Sequence, residues 1–338
     1  MRTLNVAAAQ LGPVGRDEPR SQVVDRLIAL LHQAHARSCE LVVFPELALT
    51  TFFPRWYLDD GGPGGIEAVS GDLVELDSFY EESMPNESTQ PLFDEAKRLG
   101  IGFSLGYAEL SKPGEHLEGL RFNTTIIVER DGSIVGHYRK VHIPGHEDYE
   151  PERRFQHLER RYFRESMAGF DVYDAFGGVV GQATCNDRRW PETYRVMGLQ
   201  GVELIMIGYN TPLHYAPDPT QNALQGFHNH LVMQAGAYQN GTWVVGVAKG
   251  GTEEGVDSLA QSVIIAPSGQ IVAQAVTTGD EVVTARCDLD LCDHYKQTLF
   301  NFDRYRRPEM YGLIADTNKT SLTDTHPHRR DRSTGATS

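Results

Sequence analysis

Gly181-Gln182-Ala183-Thr184-Cys185-Asn186-Asp187-Arg188-Arg189-Trp190-Pro191-Glu192 reads as a strand handing over to a helix. The small, apolar run 178–184 has the composition of a buried strand, and it ends at a thiol. Pro191 with Glu192 then opens a helix, because proline suits the first helical turn, where its missing N–H is not needed. A cysteine at such a turn carries its sulfur at the carboxyl edge of a sheet, near a helix N-terminus that favours thiolate. Arg188 and Arg189 place an anion-binding group next to this candidate nucleophile. The plainer reading of Cys185 is a buried structural thiol. The polar run Asn186-Asp187-Arg188-Arg189 speaks against deep apolar burial.

The same strand-to-helix order occurs in both halves of the chain. In the first half, 4–9 reads as a strand, 21–37 as an amphipathic helix with apolar residues at helical spacing, and 40–44 as a short buried strand closed by Pro45. Thr89-Gln90-Pro91 starts a helix that stops at Gly100, and 101–110 is a strand. Strands 122–129 and 133–140 flank Asp131-Gly132, a hairpin signal. In the second half, the strand ending at Cys185 is followed by a helix over 191–199, a strand over 203–207 and a helix over 223–238. Strands follow at 242–248, 261–266, 270–275 and 281–287. Two mixed sheets packed face to face with helices outside would bury every apolar face, which predicts an α/β, four-layer αββα sandwich. The expected domain is single and spans 1–315. Residues 60–75, rich in glycine, read as a mobile loop, and 316–338 as a polar tail or an arm on a partner subunit.

Composition sets the class. The 338 residues are 40% hydrophobic and 23% charged, which is ordinary for a soluble globular protein. The formal charge of −15 argues against nucleic acid or an anionic membrane as a partner, yet leaves room for a small anion held by local arginines. Cys39, Cys185, Cys287 and Cys292 form no Cys-x-x-Cys pair and no disulfide framework. With no apolar leader and no membrane-length run, the expected location is the cytoplasm. The sequon at Asn123-Thr124-Thr125 then counts as a chance match.

Several further residues carry possible chemistry. Glu46 closes the apolar strand Leu41-Val42-Val43-Phe44-Pro45, where a carboxylate is costly unless paired or used. It is either a carboxylate bonded to amides or an arginine, or a general base with a raised pKa. Lys140 ends the run Tyr138-Arg139-Lys140; beside a thiol it would stabilise an oxyanion, and otherwise it is a solvated lysine. Glu159 is a possible second carboxylate or a plain surface acid. His142, His146 and His157 have no compact zinc spacing, so no metal is expected. Gly102-Phe103-Ser104-Leu105-Gly106 matches a nucleophile-elbow pattern, but Ser104 falls in mid-strand, which rules the elbow out.

Phe44-Pro45-Glu46, Tyr138-Arg139-Lys140-Val141-His142 and Cys185-Asn186-Asp187-Arg188-Arg189-Trp190-Pro191-Glu192, in that order, resemble the nitrilase superfamily of Glu-Lys-Cys amidohydrolases. Residues 44–56, Phe155-Gln156-His157-Leu158-Glu159, Gly208-Tyr209-Asn210-Thr211-Pro212, Met233-Gln234-Ala235-Gly236 and Tyr311-Gly312-Leu313-Ile314-Ala315 resemble, more narrowly, its N-carbamoyl-D-amino acid amidohydrolases. The resemblance runs from about Leu4 to Ala315 and fails at 61–74, which looks like an insertion. It implies a cofactor-free hydrolase with Cys185 as nucleophile, Glu46 as base, Lys140 at the oxyanion and Glu159 orienting substrate or water. It further implies that Arg188 and Arg189 bind a substrate carboxylate. Asn186, Asn210 and Thr211 would add polar contacts, while His142, His157 and His228 would line or brace the pocket. The implied partners are a small ureido acid and further copies of the chain, in a homodimer or homotetramer. Another amidase or carbamoylase, a nitrilase, or a non-enzymatic interaction protein on the same fold are the alternatives.

Overall fold

A computed structural model describes residues 1–58, 70–71, 73–112, 114 and 117–316. In chain order the strands are β1 (Thr3–Gln10), β2 (Leu41–Val43), β3 (Tyr57–Leu58), β4 (Ser70–Gly71), β5 (Tyr80–Glu81), β6 (Gly102–Leu110), β7 (Arg121–Val128) and β8 (Ile134–Arg139). They continue as β9 (Val172–Ala175), β10 (Gly178–Thr184), β11 (Leu204–Tyr209), β12 (Trp243–Ala248), β13 (Gly250–Glu253), β14 (Val256–Leu259), β15 (Val263–Ile265), β16 (Ile271–Gln274) and β17 (Glu281–Asp288). The helices are α1 (Arg20–His35), α2 (Leu73–Ser78), α3 (Gln90–Leu99), α4 (Glu159–Tyr162), α5 (Pro191–Leu199), α6 (Gln225–Asn240), α7 (Asp290–Gln297), α8 (Phe302–Tyr305) and α9 (Gly312–Asp316).

Two large mixed sheets run in the orders β17-β1-β2-β6-β7-β8 and β16-β15-β12-β11-β10-β9. The period of two along β1 sorts its side chains between layers. Leu4, Val6 and Ala8 meet Leu204, Met206, Val245 and Val247 of the other sheet in one core. Ala7 and Ala9 face Val23, Leu27 and Leu31 of α1 and Leu92 and Ala96 of α3 in a second. A third core sets Ile205, Ile207 and Val244 against Tyr194 and Met197 of α5 and Met233 and Ala237 of α6. The order helix, sheet, sheet, helix is the expected sandwich. Helix α3 stops where expected, because Gly100 takes the left-handed φ of 65° and closes the turn onto Ala96 and Lys97.

Two differences from the sequence reading matter. The strand at Glu281–Asp288 leaves the second half and pairs antiparallel with β1, from Thr3↔Asp288 to Gln10↔Glu281. Strand β1 has apolar side chains on both faces, so a neighbour on each edge completes its ladder. The compact unit carrying both sheets runs Met1–Phe300. The expected mobile loop at 60–75 and insertion at 61–74 fall largely outside the described residues. Within them, Ser70–Gly71 pairs in parallel with Tyr57–Leu58 and α2 begins at Leu73, so that part is not loop. The expected tail beyond Asp316 lies outside the described residues. Among the described residues no helix is long and apolar enough to cross a membrane.

Candidate active site

Strands β2 and β10 end in the two inner sheets, and each hands a functional side chain to the gap beyond. Glu46 follows β2 at a corner that is tightly enclosed. A Cβ on Gly208 would stand 2.5 Å from the Glu46 backbone nitrogen, and one on Gly106 would stand 2.8 Å from its Cα. Glycines from the two sheets therefore grip the Pro45–Glu46 peptide from both sides. This is the use of the second glycine of the Gly102–Gly106 pattern; Ser104 itself lies inside β6 and accepts a bond from Gln182 Nε2 at 3.1 Å. Gly208→Ala is expected to push the Glu46 backbone aside and cut turnover about 10²-fold. The overpacking should also cost about 1–3 kcal/mol of stability and so lower the melting temperature. Parallel activity and thermal-melting measurements check both.

Glu46, Lys140 and Glu159 are fully buried. Lys140 Nζ donates to Glu46 Oε1 at 2.8 Å and to Glu159 Oε2 at 2.5 Å, so one ammonium is shared by two carboxylates. Asn123 Nδ2 donates to Glu46 Oε1 at 2.8 Å, and the Asn210 backbone N–H donates to Glu46 Oε2 at 2.9 Å. His157 Nε2 lies 2.9 Å from Glu159 Oε1. These environments drive the two carboxyls apart. At Glu46, burial and then the negative Glu159 outweigh Lys140 and raise the pKa. Burial opposes ionisation of Glu159 too, but Lys140 and His157 prevail and hold it at about 2. Burial works against the Lys140 ammonium, yet Glu159 and Glu46 keep it charged far above neutrality.

Cys185 starts a 3-10 turn over Cys185–Arg189 with φ of 47°, a left-handed conformation uncommon for a side chain larger than glycine. Thr184 and Asp187 fix that turn with a reciprocal capping box. Sγ lies 3.9 Å from the Asn210 carbonyl oxygen and 3.9 Å from Thr211 Oγ1. Asn210 thus touches Glu46 through its N–H and the thiol through its carbonyl. Two expectations are corrected here. The thiol is buried, at 6% exposure, despite its polar flank. Its pKa is raised rather than lowered, because burial and the charge of Glu46 outweigh Lys140 and Arg188. Asp187 and Arg188 turn inward and are bonded there, while Arg189 faces outward, so the polar flank does not expose the sulfur.

The other expected residues divide. Arg188 is buried with its guanidinium 4.4 Å over the Tyr209 ring. Its Nε donates to Asn229 Oδ1 at 2.8 Å, its Nη1 to the Cys185 carbonyl at 2.6 Å, and its Nη2 to Thr211 Oγ1 at 2.9 Å. Arg189 is exposed, which leaves it the freer cation. His142 is held by Asp187 Oδ1, at 2.8 Å from its Nδ1, and stacks on Trp190 at 5.0 Å. Asn186 Nδ2 donates to the His142 carbonyl at 3.3 Å. His228 lies on α6 against Phe227 and joins none of these bonds. Asn123, Asp187 and Asn229 were missed by the sequence reading. The signal for Asn123 was present: a polar residue inside an apolar strand must find a buried partner. Among the described residues no group of three His, Cys, Asp or Glu is arranged to hold a metal ion.

Comparison with known proteins places the chain. A sequence model of the family described as carbon-nitrogen hydrolase matches residues 5–297. An N-carbamoylputrescine amidase of Arabidopsis thaliana is 28% identical over 294 residues, covering 84% of this chain and 87% of that protein. A citrullinase of Francisella tularensis is 33% identical over 200 residues, covering 57% and 65%. The crystal structure of a carbon-nitrogen hydrolase from Helicobacter pylori superposes with a TM-score of 0.74 at 21% identity, covering 94% of this chain and 99% of that one.

Proposed function

Because this chain belongs to the carbon-nitrogen hydrolase family, we propose that it converts N-carbamoyl-D-amino acids to the D-amino acid, carbon dioxide and ammonia through a thioester on Cys185. The observation that carries this reading is the convergence of these side chains. One thiol, one ammonium and two carboxylates from distant parts of the chain lie around Asn210 and Asn123.

A ureido carbon is a poor electrophile, since two nitrogens donate into its carbonyl. It needs a thiolate, an acid for the departing nitrogen and a charged oxyanion site. Glu46, whose pKa burial and the neighbouring Glu159 raise above the ordinary carboxylate value, takes the thiol proton as Sγ bonds to the ureido carbon. The carbonyl oxygen gains the electron pair beside the Lys140 ammonium. Collapse breaks one C–N bond, and Glu46 returns the proton to the leaving nitrogen. Water, activated by the same carboxylate and oriented by Glu159, then cleaves the thioester, which frees the thiol and a carbamic acid; that acid loses carbon dioxide as its remaining C–N bond breaks and the nitrogen takes the acid's proton. Whichever C–N bond breaks first, the products sum to ammonia, carbon dioxide and the amino acid.

Substrate choice rests on Arg189, with Arg188 behind it. A guanidinium fork suits a carboxylate, and the relative named N-carbamoylputrescine amidase supports a carbamoyl group at the scissile end. For assembly we propose a homodimer or homotetramer, supported by the exposed Val196, Leu199, Phe227 and Leu231 on α5 and α6.

Ammonia release from paired D and L N-carbamoyl amino acids, their neutral amides, N-carbamoyl amines and nitriles tests the reading. The D acid should be the best substrate. Equal rates with and without the carboxylate would reject the ureido acid, and equal rates for both hands would reject the stereochemistry. Glu46→Gln should lose at least about 10²-fold in kcat. Near-parental turnover in that variant would remove the base assignment.

A further inference from the structure

We propose that Glu253 is a positioning residue for hydrolysis: it locks the hairpin β13–β14 onto the two segments that carry Glu159 and Asn210. The inference rests on the hydrolase reading above and concerns the same site.

Glu253 takes no part in the chemistry just described, yet its carboxylate is 1% exposed and surrounded by donors. Oε1 accepts from Thr51 Oγ1 at 2.9 Å, from the Phe52 N–H at 2.5 Å and from Arg55 Nη2 at 3.0 Å. Oε2 accepts from the Val14 N–H at 3.0 Å and from Lys249 Nζ at 3.3 Å. Arg55 Nη1 also donates to the Glu253 carbonyl, and Lys249 Nζ to the Thr50 carbonyl. Burying two cations and an anion is a poor route to stability; its defensible use is to fix a geometry.

What it fixes is visible by following the bonds outward. The Arg55 carbonyl accepts from the Gln156 N–H at 3.3 Å, and the Pro54 carbonyl accepts from the Leu158 N–H at 2.7 Å. The Phe52 ring meets the His157 ring edge-on at 5.7 Å. His157 in turn holds Glu159, which holds Lys140. On the other side of the hairpin, the Leu259 N–H donates to the Thr211 carbonyl at 2.8 Å and the Leu213 N–H to the Asp257 carbonyl at 2.8 Å. Both walls of the pocket therefore hang from one hairpin, and Glu253 ties that hairpin down. Glutamine at this position has the same shape but turns an amide N–H toward two of the donors, so Glu253→Gln loosens the tie without changing volume.

The experiment uses the full chain and compares Glu253→Gln, Phe52→Leu and the double variant. Two readouts are taken: steady-state turnover of an N-carbamoyl amino acid, and the pH profile of Cys185 alkylation by iodoacetamide, scored by mass spectrometry. The alkylation needs no substrate, so it stands even where the substrate assignment fails. Glu253→Gln is expected to lower kcat about ten- to a hundred-fold while KM moves less, and to shift the alkylation profile. Phe52→Leu should act in the same direction. The double variant should lose less than the product of the two single losses, since both act through His157. An unchanged alkylation profile in Glu253→Gln, or losses that multiply, overturns the proposal. Should Glu253→Gln fail to fold, Phe52→Leu and Thr51→Val leave the ion cluster charged and carry the test. An unshifted profile in both then overturns it.

Discussion

Cys185→Ala is expected to lose turnover by on the order of 10⁶-fold, as removal of a covalent nucleophile does when the surrounding machinery depends on it. The fold should survive, because the side chain removed is small and its turn is fixed by others. The capping box of Thr184 and Asp187, and the Arg188 bond to the Cys185 carbonyl, do not involve the sulfur. The variant should therefore still bind an N-carbamoyl amino acid, with a dissociation constant within about ten-fold of the parent KM. Calorimetric titration beside an ammonia assay checks the pair. Cys185→Ser should fare little better. The parent thiol is already held above its usual pKa by burial and by Glu46, and an alcohol in the same place is harder still to ionise. Turnover above a tenth of the parental rate in either variant would exclude the thioester route.

The sequence exposed the parts of this site that local chemistry marks. Pro191 sets the start of α5, and that helix occupies the expected residues. Glu46 stands out because a carboxylate after Leu41–Val43 has no cheap place to go. Cys185 stands out because a strand ends there. What stayed hidden depends on contacts between distant segments. Asn123 looks like part of a sequon, and only the packing of β7 beside the Glu46 corner shows it donating to that carboxylate. Gly208 looks like a strand glycine until Pro45–Glu46 is seen pressed against it. Arg188 and Arg189 are equal in sequence, but a step of one residue along a 3-10 turn sends the first under Tyr209 and the second outward. The strand Val172–Ala175 was not anticipated, because its residues are half-exposed on the edge of the second sheet and show no buried run. The return of β17 to β1 is a tertiary pairing that no local pattern announces.

Lys140→Met should be the most damaging change to stability and should also abolish turnover. Methionine fills similar space, so the loss is one of charge rather than of packing. Glu46 and Glu159 would then share a fully buried site with no cation between them. Leaving a buried charge uncompensated costs about 3–5 kcal/mol, a large part of what a domain has to spare. The pH dependence follows from the proton balance. In the parent, Glu159 is depressed to about 2, so its contribution is present above the unfolded value of about 4.3 and is lost as pH falls through the folded one. In the variant Glu46 would stay above its unfolded value, and Glu159, with His157 alone beside it, would lose the larger of the two influences that hold it down. The unfolded chain then releases protons first as pH rises, and folding weakens toward neutrality. The deficit between the two proteins should be widest near neutral pH and should narrow below about pH 4. Urea midpoints at neutral and acid pH measure it. A deficit that stays constant with pH would mean that Lys140 acts through packing, and the picture of one ammonium balancing two carboxylates would have to be abandoned.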